Sequence, residues 1–173
     1  MIFNIILAYI AISIIGYFLM DFAYFVTIYY LPVPRRWLYY LLQFTWGLPL
    51  NVAGALAYLV LICCGKKPKK YGWNYCFELN VNFGLDLGIV FIAPINGSTH
   101  LKNHEHGHAI QNIYFGPFTI TMVCLPSVLR FWIREIETKV GQPPLTTYDS
   151  IWFEGLATMS GTNFIDKIEK GEV

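Results

Sequence analysis

Residues 104–108 read His-Glu-His-Gly-His, and the rest of the chain is best interpreted outward from this stretch. On a helix, positions i and i+4 lie on one face about one turn apart, so His104 and His108 can share one small cation. Glu105 is placed to reach a water bound to that cation. Metal-assisted hydrolysis of a peptide bond needs this combination of groups. The stretch therefore predicts a helix that carries a metal site.

Two histidines do not complete such a site, because catalytic zinc usually has three protein ligands and one open position. His106 points roughly 200° away from His104 around the helix. His100 is on the correct face but lies about 12 Å along the helix axis from His108, too far to share an ion. No histidine follows His108, so a carboxylate from a second helix is required. The candidates are Glu154, Glu135, Glu137, Asp149 and Asp166.

The clustering of the histidines argues against a chance occurrence of the motif. A lone histidine in a helix is usually a polar residue with an ordinary partner. Here all 4 histidines of the chain lie between His100 and His108. In an apolar protein such a cluster is costly unless something coordinates it, so the sequence favours metal binding.

The composition indicates a membrane protein. Of the 173 residues, 55% are hydrophobic, 17% are aromatic and only 13% are charged, and the mean hydropathy is +0.47. Soluble domains carry about 25% charged residues, so this chain has too little polar surface to cover a globule in water. The net charge of +1 excludes the electrostatics of a nucleic-acid-binding protein.

Two apolar segments near the N-terminus are long enough to span a bilayer. Residues Ile2 to Tyr30 form the first, and Trp37 to Cys64 form the second, with kinks expected at Pro49 and Gly54. The short connection predicts that residues 1–64 form an antiparallel transmembrane hairpin. Four lysines in residues 65–70 outweigh the two arginines at the other end of the second span. By the positive-inside rule the lysine side faces the cytoplasm.

After this hairpin the hydrophobic period changes from helical to alternating. Apolar residues occupy every second position: Phe77, Leu79, Val81, Phe83, Leu85, Leu87, Ile89 and Phe91. Polar residues and glycines lie between them, so a third membrane helix would expose them to lipid. The pattern predicts a short antiparallel β-hairpin bent at one of the glycines.

The sequence indicates where the histidine helix begins and ends. Ser98 or Thr99 is the expected N-cap, and the helix should stop or kink at Gly116-Pro117. A last helix is expected from about Thr147 to Lys170. Because residues 104, 108 and 154 must meet, a single membrane crossing between them would leave residue 154 on the wrong side. Whether residues 118–139 span and return, re-enter or lie on the membrane stays open.

The segments HEHGHAIQNIYFGP (104–117) and YDSIWFEGLAT (148–158) resemble known proteins. The pattern His-Glu-x-x-His followed by Glu-x-x-Ala is similar to the gluzincin metallopeptidases, whose thermolysin-like members use two histidines and a later glutamate. The same segments resemble a group of small bacterial integral membrane proteins with this motif. One departure is that Thr158 stands where gluzincins carry an acidic residue shortly after the third ligand.

This resemblance implies Zn²⁺ held by His104, His108 and Glu154, with Glu105 as general base. Small residues at Ala157 and Gly161 would let the two site helices approach closely. The alternating strands resemble the gluzincin sheet, whose edge pairs with an extended substrate. The stabilising donor for the oxyanion would be Tyr148 or His100.

We therefore expect an α+β membrane protein, mainly α: two transmembrane helices, a short antiparallel β-hairpin and a two-helix zincin core at the membrane interface. Residues 65–173 would form a membrane-associated gluzincin-like metallopeptidase core. The expected function is that of an integral membrane zinc endopeptidase acting on peptides or membrane proteins. It would lie in a bacterial cell membrane with its catalytic part on the cytoplasmic side.

Two alternatives remain open from the sequence. The first is a non-catalytic metal-binding membrane assembly or sensor protein. The second is a transport component in which Asp21 and the histidines line a polar path. An ionisable residue in a membrane span is a functional candidate, although Asp21 can equally lie near the interface or bond to a neighbouring helix.

Overall fold

The computed structural model describes residues 2–27, 30–143 and 147–173. The protein is mainly helical with a small mixed sheet of four strands in these ranges, which confirms the α+β, mainly α expectation at this level. The elements in chain order are α1 (Ile2–Val26), α2 (Arg36–Phe44), α3 (Leu48–Cys63), β1 (Lys69–Tyr71), β2 (Asn74–Leu79), β3 (Leu85–Asp86), β4 (Val90–Pro94), α4 (Thr99–Phe115), α5 (Leu125–Lys139) and α6 (Trp152–Glu169). Short helical turns at Gly116–Phe118, Ile120–Cys124 and Tyr148–Ser150 complete it.

Helix α1 is long and apolar enough to cross a membrane. Among the described residues it is the one unbroken helix that meets this condition. Only Ser13 is buried in it, and most of its apolar side chains point away from the protein. Residues on one side of α1 attach it to the rest of the protein. The Tyr9 hydroxyl donates to the carbonyl of Pro117 at 2.8 Å, and Tyr17 packs edge-on against Trp152. Residues 28 and 29 of the expected first span lie outside the described residues.

The second expected span is not one straight helix. Helices α2 and α3 meet at a bend of 89°, so the pair is either a broken span or a re-entrant loop. The corner lies between Phe44 and Leu48 rather than at Pro49 or Gly54, where kinks were expected. Pro49 stands in the first turn of α3, where its missing N–H costs nothing.

Buried polar groups stabilise this corner. The Asn51 side-chain amide donates to the carbonyl of Gln43 at 2.9 Å and to the carbonyl of Gly47 at 3.1 Å. Gln43 lies in the last turn of α2, where a carbonyl group has no partner within the helix, so the Asn51 side chain supplies the missing donor. The corner thereby buries Gln43 and Asn51 against the rest of the protein rather than exposing them to lipid.

The alternating segment forms parts of a mixed sheet and not a single antiparallel hairpin. The strand order is β1-β2-β4-β3, and the central pair β2 and β4 is parallel. Short antiparallel pairs flank it, β1 with β2 and β3 with β4. Alternation decides which face of a strand is buried, but it does not choose the partner strand. The sheet ends in β3 as one edge strand.

Helices α4 and α6 form the centre of the protein. Every residue of α4 from Asn103 to Ile113 is buried. Gly107 lies against Ala157 and Gly161 lies against Asn103, so closely that a Cβ at either glycine would fall within 2 Å of a backbone oxygen of the other helix. The expectation that Ala157 and Gly161 allow a close approach is confirmed.

The ends of α4 agree with the sequence. The Ser98 hydroxyl accepts a hydrogen bond from the amide of Leu101, so Ser98 is the N-cap. The helix ends at Phe115, and Gly116 follows with a φ of 55°. The chain then bends by 116° into the segment that contains α5. No residue of α5 is buried.

Candidate metal centre

Three side chains from α4 and α6 converge on one point. His104 and His108 lie on one face of α4, and their Nε2 atoms are 3.1 Å apart. A carboxylate oxygen of Glu154, in the first turn of α6, lies 3.0 Å from Nε2 of His104 and 3.4 Å from Nε2 of His108. All three residues are buried. Among the described residues, this is the group whose donor atoms are placed to hold a metal ion.

The spacing of these atoms fits a small tetrahedral cation. Ligand bonds of about 2.0–2.1 Å arranged tetrahedrally place neighbouring ligand atoms about 3.3 Å apart. The three separations, 3.0, 3.1 and 3.4 Å, bracket that value. Two imidazole nitrogens and one carboxylate oxygen also form a donor set that divalent transition metals accept. The group could therefore hold a metal ion.

Glu154 supports the same conclusion. The residue has no exposed surface, and within the described part of the chain neither carboxylate oxygen receives a geometrically sound hydrogen bond. A buried charge without a partner is costly. Burial by itself raises the pKa of Glu154, but His104 and His108 outweigh that effect and hold the pKa below its usual value.

The outer nitrogen of His108 is fixed by a residue that the sequence analysis did not single out. Nδ1 of His108 lies 2.8 Å from Oε1 of Gln111, and the Gln111 amide donates to the carbonyl of Phe153 at 2.6 Å. Because the amide nitrogen is engaged, the amide oxygen must accept, and Nδ1 carries the hydrogen. The Nε2 lone pair then faces Glu154 and His104. A glutamine three residues after a ligand on the same helix face was the available signal.

Glu105 lies beside the three converging residues and not among them. It is buried, and burial raises the pKa of its carboxyl, with His108 and His104 acting in the opposite direction. Gly84, just before β3, lies so close that a Cβ there would be 2.0 Å from Oε1 of Glu105. The residue that precedes the edge strand and this carboxyl are therefore in direct contact, a relationship that the sequence analysis did not predict.

A cavity of about 620 Å³ opens next to these groups. Glu105 and His108 lie in its wall, and β3 with the residues before it forms one side. Helix α5 and the turn before it also line the cavity, mostly with apolar side chains such as Val123, Val128 and Phe131. A cavity of this size, apolar with a few convergent polar groups, is typical of a ligand-binding site.

The two expected oxyanion donors have different positions. Tyr148 lines the cavity, and its ring centroid is 5.6 Å from that of His104. Burial raises the pKa of the Tyr148 hydroxyl, and the charges of Glu154 and Glu105 add to the effect, so it keeps its proton. The side chain of His100 is 65% exposed and lies 4.0 Å from Asp149, outside the cavity wall.

The other acidic residues proposed from the sequence do not join the converging group. Glu135 lines the cavity on α5, while Glu137, Asp149 and Asp166 lie outside the cavity wall. Asp21 is exposed on α1 and is not part of the cavity wall.

His106 packs in the interior of the protein, away from the three converging residues. It is fully buried, its ring packs on Phe164 with centroids 4.5 Å apart, and its Nε2 accepts from the amide of Trp73 at 3.4 Å. These contacts agree with the expectation that His106 points away from His104 around the helix.

The chain was compared with protein-family models, with curated proteins and with solved structures, and none of them matches it.

Proposed function

We propose that the protein is an integral membrane zinc-dependent endopeptidase of the gluzincin type. The observation that carries the proposal is the convergence of His104, His108 and Glu154 at ligand spacing, with Glu105 buried beside them in the wall of a cavity. Two histidines and one glutamate form the protein ligand set of several zinc peptidases, which leaves one coordination position open. The resemblance of residues 104–108 and 154–157 to the gluzincin pattern supports the same reaction.

The residues have distinct roles in the proposed hydrolysis. When bound, zinc supplies Lewis-acid polarisation and lowers the pKa of a water in the site. Glu105 takes one proton from the attacking water as it adds to the scissile carbonyl carbon. Glu105 then gives that proton to the amide nitrogen as the carbon–nitrogen bond breaks. Tyr148 keeps its hydroxyl proton and can donate it in a hydrogen bond to the developing oxyanion.

An extended peptide is the substrate form that the site fits best. Strand β3 is an edge of the sheet, and Gly84 before it contacts Glu105. A substrate strand that pairs with this edge would place its backbone beside the general base. The apolar walls of the cavity would accept apolar side chains, which suits peptides and membrane proteins at the bilayer interface.

The proposed placement in the membrane follows from the exposed apolar surface. Helix α1 would span the bilayer, and the bent pair α2–α3 would form the second leg of an N-terminal membrane unit, residues 1–64. Residues 65–173 would form the peptidase core at the interface. The four lysines of residues 65–70 would put this core on the cytoplasmic side, in a bacterial cell membrane.

The decisive experiment combines metal analysis with a cleavage assay on the full chain in detergent or lipid nanodiscs. We expect one zinc per chain and cleavage of apolar reporter peptides that stops with a chelator and returns with added zinc. Zinc bound without any cleavage would instead support the alternative, a non-catalytic metal-binding assembly or sensor protein. A chain that retains no metal after careful purification and reloading would contradict both.

A further inference from the structure

We propose that Thr158 and Asp149 form a two-step hydrogen-bond relay that positions His104 for metal binding. This inference rests on the metal centre of the proposed function and does not depend on peptide cleavage. It concerns the departure from the gluzincin pattern, in which a threonine stands where a direct acidic partner is usual.

The relay is visible in the distances. Nδ1 of His104 lies 2.8 Å from the hydroxyl oxygen of Thr158, one turn after Glu154 on α6. That hydroxyl donates to a carboxylate oxygen of Asp149 at 3.0 Å. Asp149 belongs to the helical turn before α6, so the three residues come from three different elements.

The direction of the protons in the relay follows from the metal ligands. The Nε2 atom of His104 faces Glu154 and His108 and must offer a lone pair to a cation. In a neutral imidazole the hydrogen is then on Nδ1, so Nδ1 donates to Thr158. Since the Thr158 oxygen accepts from the ring, its own hydrogen is free to point at Asp149. Thr158 thus accepts one hydrogen bond and donates one, and the series ends on the Asp149 carboxylate.

The two histidines therefore have different outer partners. His108 is oriented by the neutral amide of Gln111, which is itself held by a backbone carbonyl. His104 is oriented by a hydroxyl that is polarised by an anion. A carboxylate behind a ligating histidine raises the basicity of the ring and fixes its orientation. Asp149 provides this effect indirectly, because its carboxylate bonds to the Thr158 hydroxyl and that hydroxyl bonds to the ring.

The test measures zinc affinity by competition with a chelator, using the full chain in detergent. Thr158→Val keeps the shape and removes the hydroxyl, and Asp149→Asn keeps the shape and removes the charge. We expect each to weaken zinc binding about 10- to 100-fold, the usual effect of losing an outer partner of a ligand. Thr158→Ser retains the hydroxyl and should bind zinc nearly as tightly as the unmodified protein.

A double variant distinguishes a relay from two separate effects. If Thr158 and Asp149 act in series, the zinc affinity of the double variant Thr158→Val with Asp149→Asn is no lower than that of the single variant that binds zinc less tightly. Losses that multiply would overturn the relay. Asp166→Asn is the matched control for Asp149→Asn, because Asp166 is an exposed aspartate on α6, the helix that carries Thr158. His100→Gln controls for the other group near Asp149.

Further outcomes separate this inference from the proposed function. Zinc affinities that do not change in Thr158→Val and Asp149→Asn would overturn the relay and leave the peptidase proposal intact. Weakened affinities in a protein that cleaves nothing would support the relay and contradict the peptidase. The thermal unfolding midpoint of each metal-free variant must stay near that of the unmodified protein. A matching loss of metal-free stability would show a merely structural role and overturn the relay.

Discussion

Gly107 of α4 lies directly against the carbonyl oxygen of Ala157 on α6, and a Cβ at position 107 would be only 1.8 Å from that oxygen. This contact sets the distance between the helix that carries both histidines and the helix that carries Glu154. The neighbouring pair, Gly161 against the carbonyl of Asn103, repeats it one turn further along α6. His104, His108 and Glu154 converge because two backbones touch without intervening side chains.

We expect Gly107→Ala to separate these helices. Backbone cannot move aside as a side chain can, so the added methyl group should destabilise the protein by about 1–3 kcal/mol or more and impair zinc binding. The measurements are the thermal unfolding midpoint and the zinc content. Gly16→Ala is the control, because the atoms nearest its new Cβ are the flexible end of Met122 at 3.1 Å. Equal effects of the two substitutions would contradict this account of the α4–α6 contact.

Zinc should stabilise the folded protein through Glu154. A ligand present at 100 times its Kd adds about 2.7 kcal/mol of stability. We expect this stabilisation in the unmodified protein and its loss in His104→Ala and Glu154→Gln, because each variant lacks one of the three ligands. The shift of the unfolding midpoint on adding zinc measures it. A Glu154→Gln variant that is stabilised by zinc to the full extent would rule out Glu154 as a ligand.

Glu105→Gln should separate metal binding from hydrolysis. The amide fills the same space but cannot take a proton, so cleavage should fall by at least about 10²- to 10⁴-fold. Zinc affinity should stay close to that of the unmodified protein, because Glu105 lies outside the converging group. Glu137→Gln, a change of the same kind on α5 outside the cavity wall, is the control and should cleave normally. Full activity of Glu105→Gln would reject the proposed mechanism.

Gly84→Ala should affect catalysis through the position of Glu105. The new Cβ would lie 2.0 Å from Oε1 of Glu105, so either the carboxyl or the edge strand must shift. We expect kcat to fall while zinc remains bound, since Gly84 contacts Glu105 and is not one of the three converging residues. The measurement is steady-state cleavage together with zinc content. A parallel loss of zinc would show that the substitution disturbs the whole centre rather than the general base.

Several features of this protein can be predicted from residue order alone. The spacing of His104 and His108 places both on one face of a helix whatever surrounds it, because helical periodicity is a local property. The N-cap at Ser98 and the helix end at Gly116 are likewise local, since they depend on nearby backbone groups. The length and apolarity of α1 also follow directly from composition.

Other features depend on contacts between distant segments. The corner between α2 and α3 was not predicted, because Pro49 is compatible both with a kink inside a helix and with the start of a new one. The parallel pairing of β2 and β4 was not predicted either, because alternation specifies buried faces and not partners. The polar residue Asn51, which stabilises the corner, has no local pattern that reveals its partners.

Residue order thus determined an apolar N-terminal helix, a helix with two histidines one turn apart, and a later glutamate of suitable chemistry. Tertiary structure alone decided that Glu154 meets both imidazoles, that Gly84 brings a strand edge against Glu105, and that Thr158 links His104 to Asp149. The physical reason is the distance along the sequence over which each kind of interaction acts. Backbone periodicity and capping act over a few residues, whereas a site of this kind needs atoms from separate helices within about 3 Å, which only the packing of those helices can arrange.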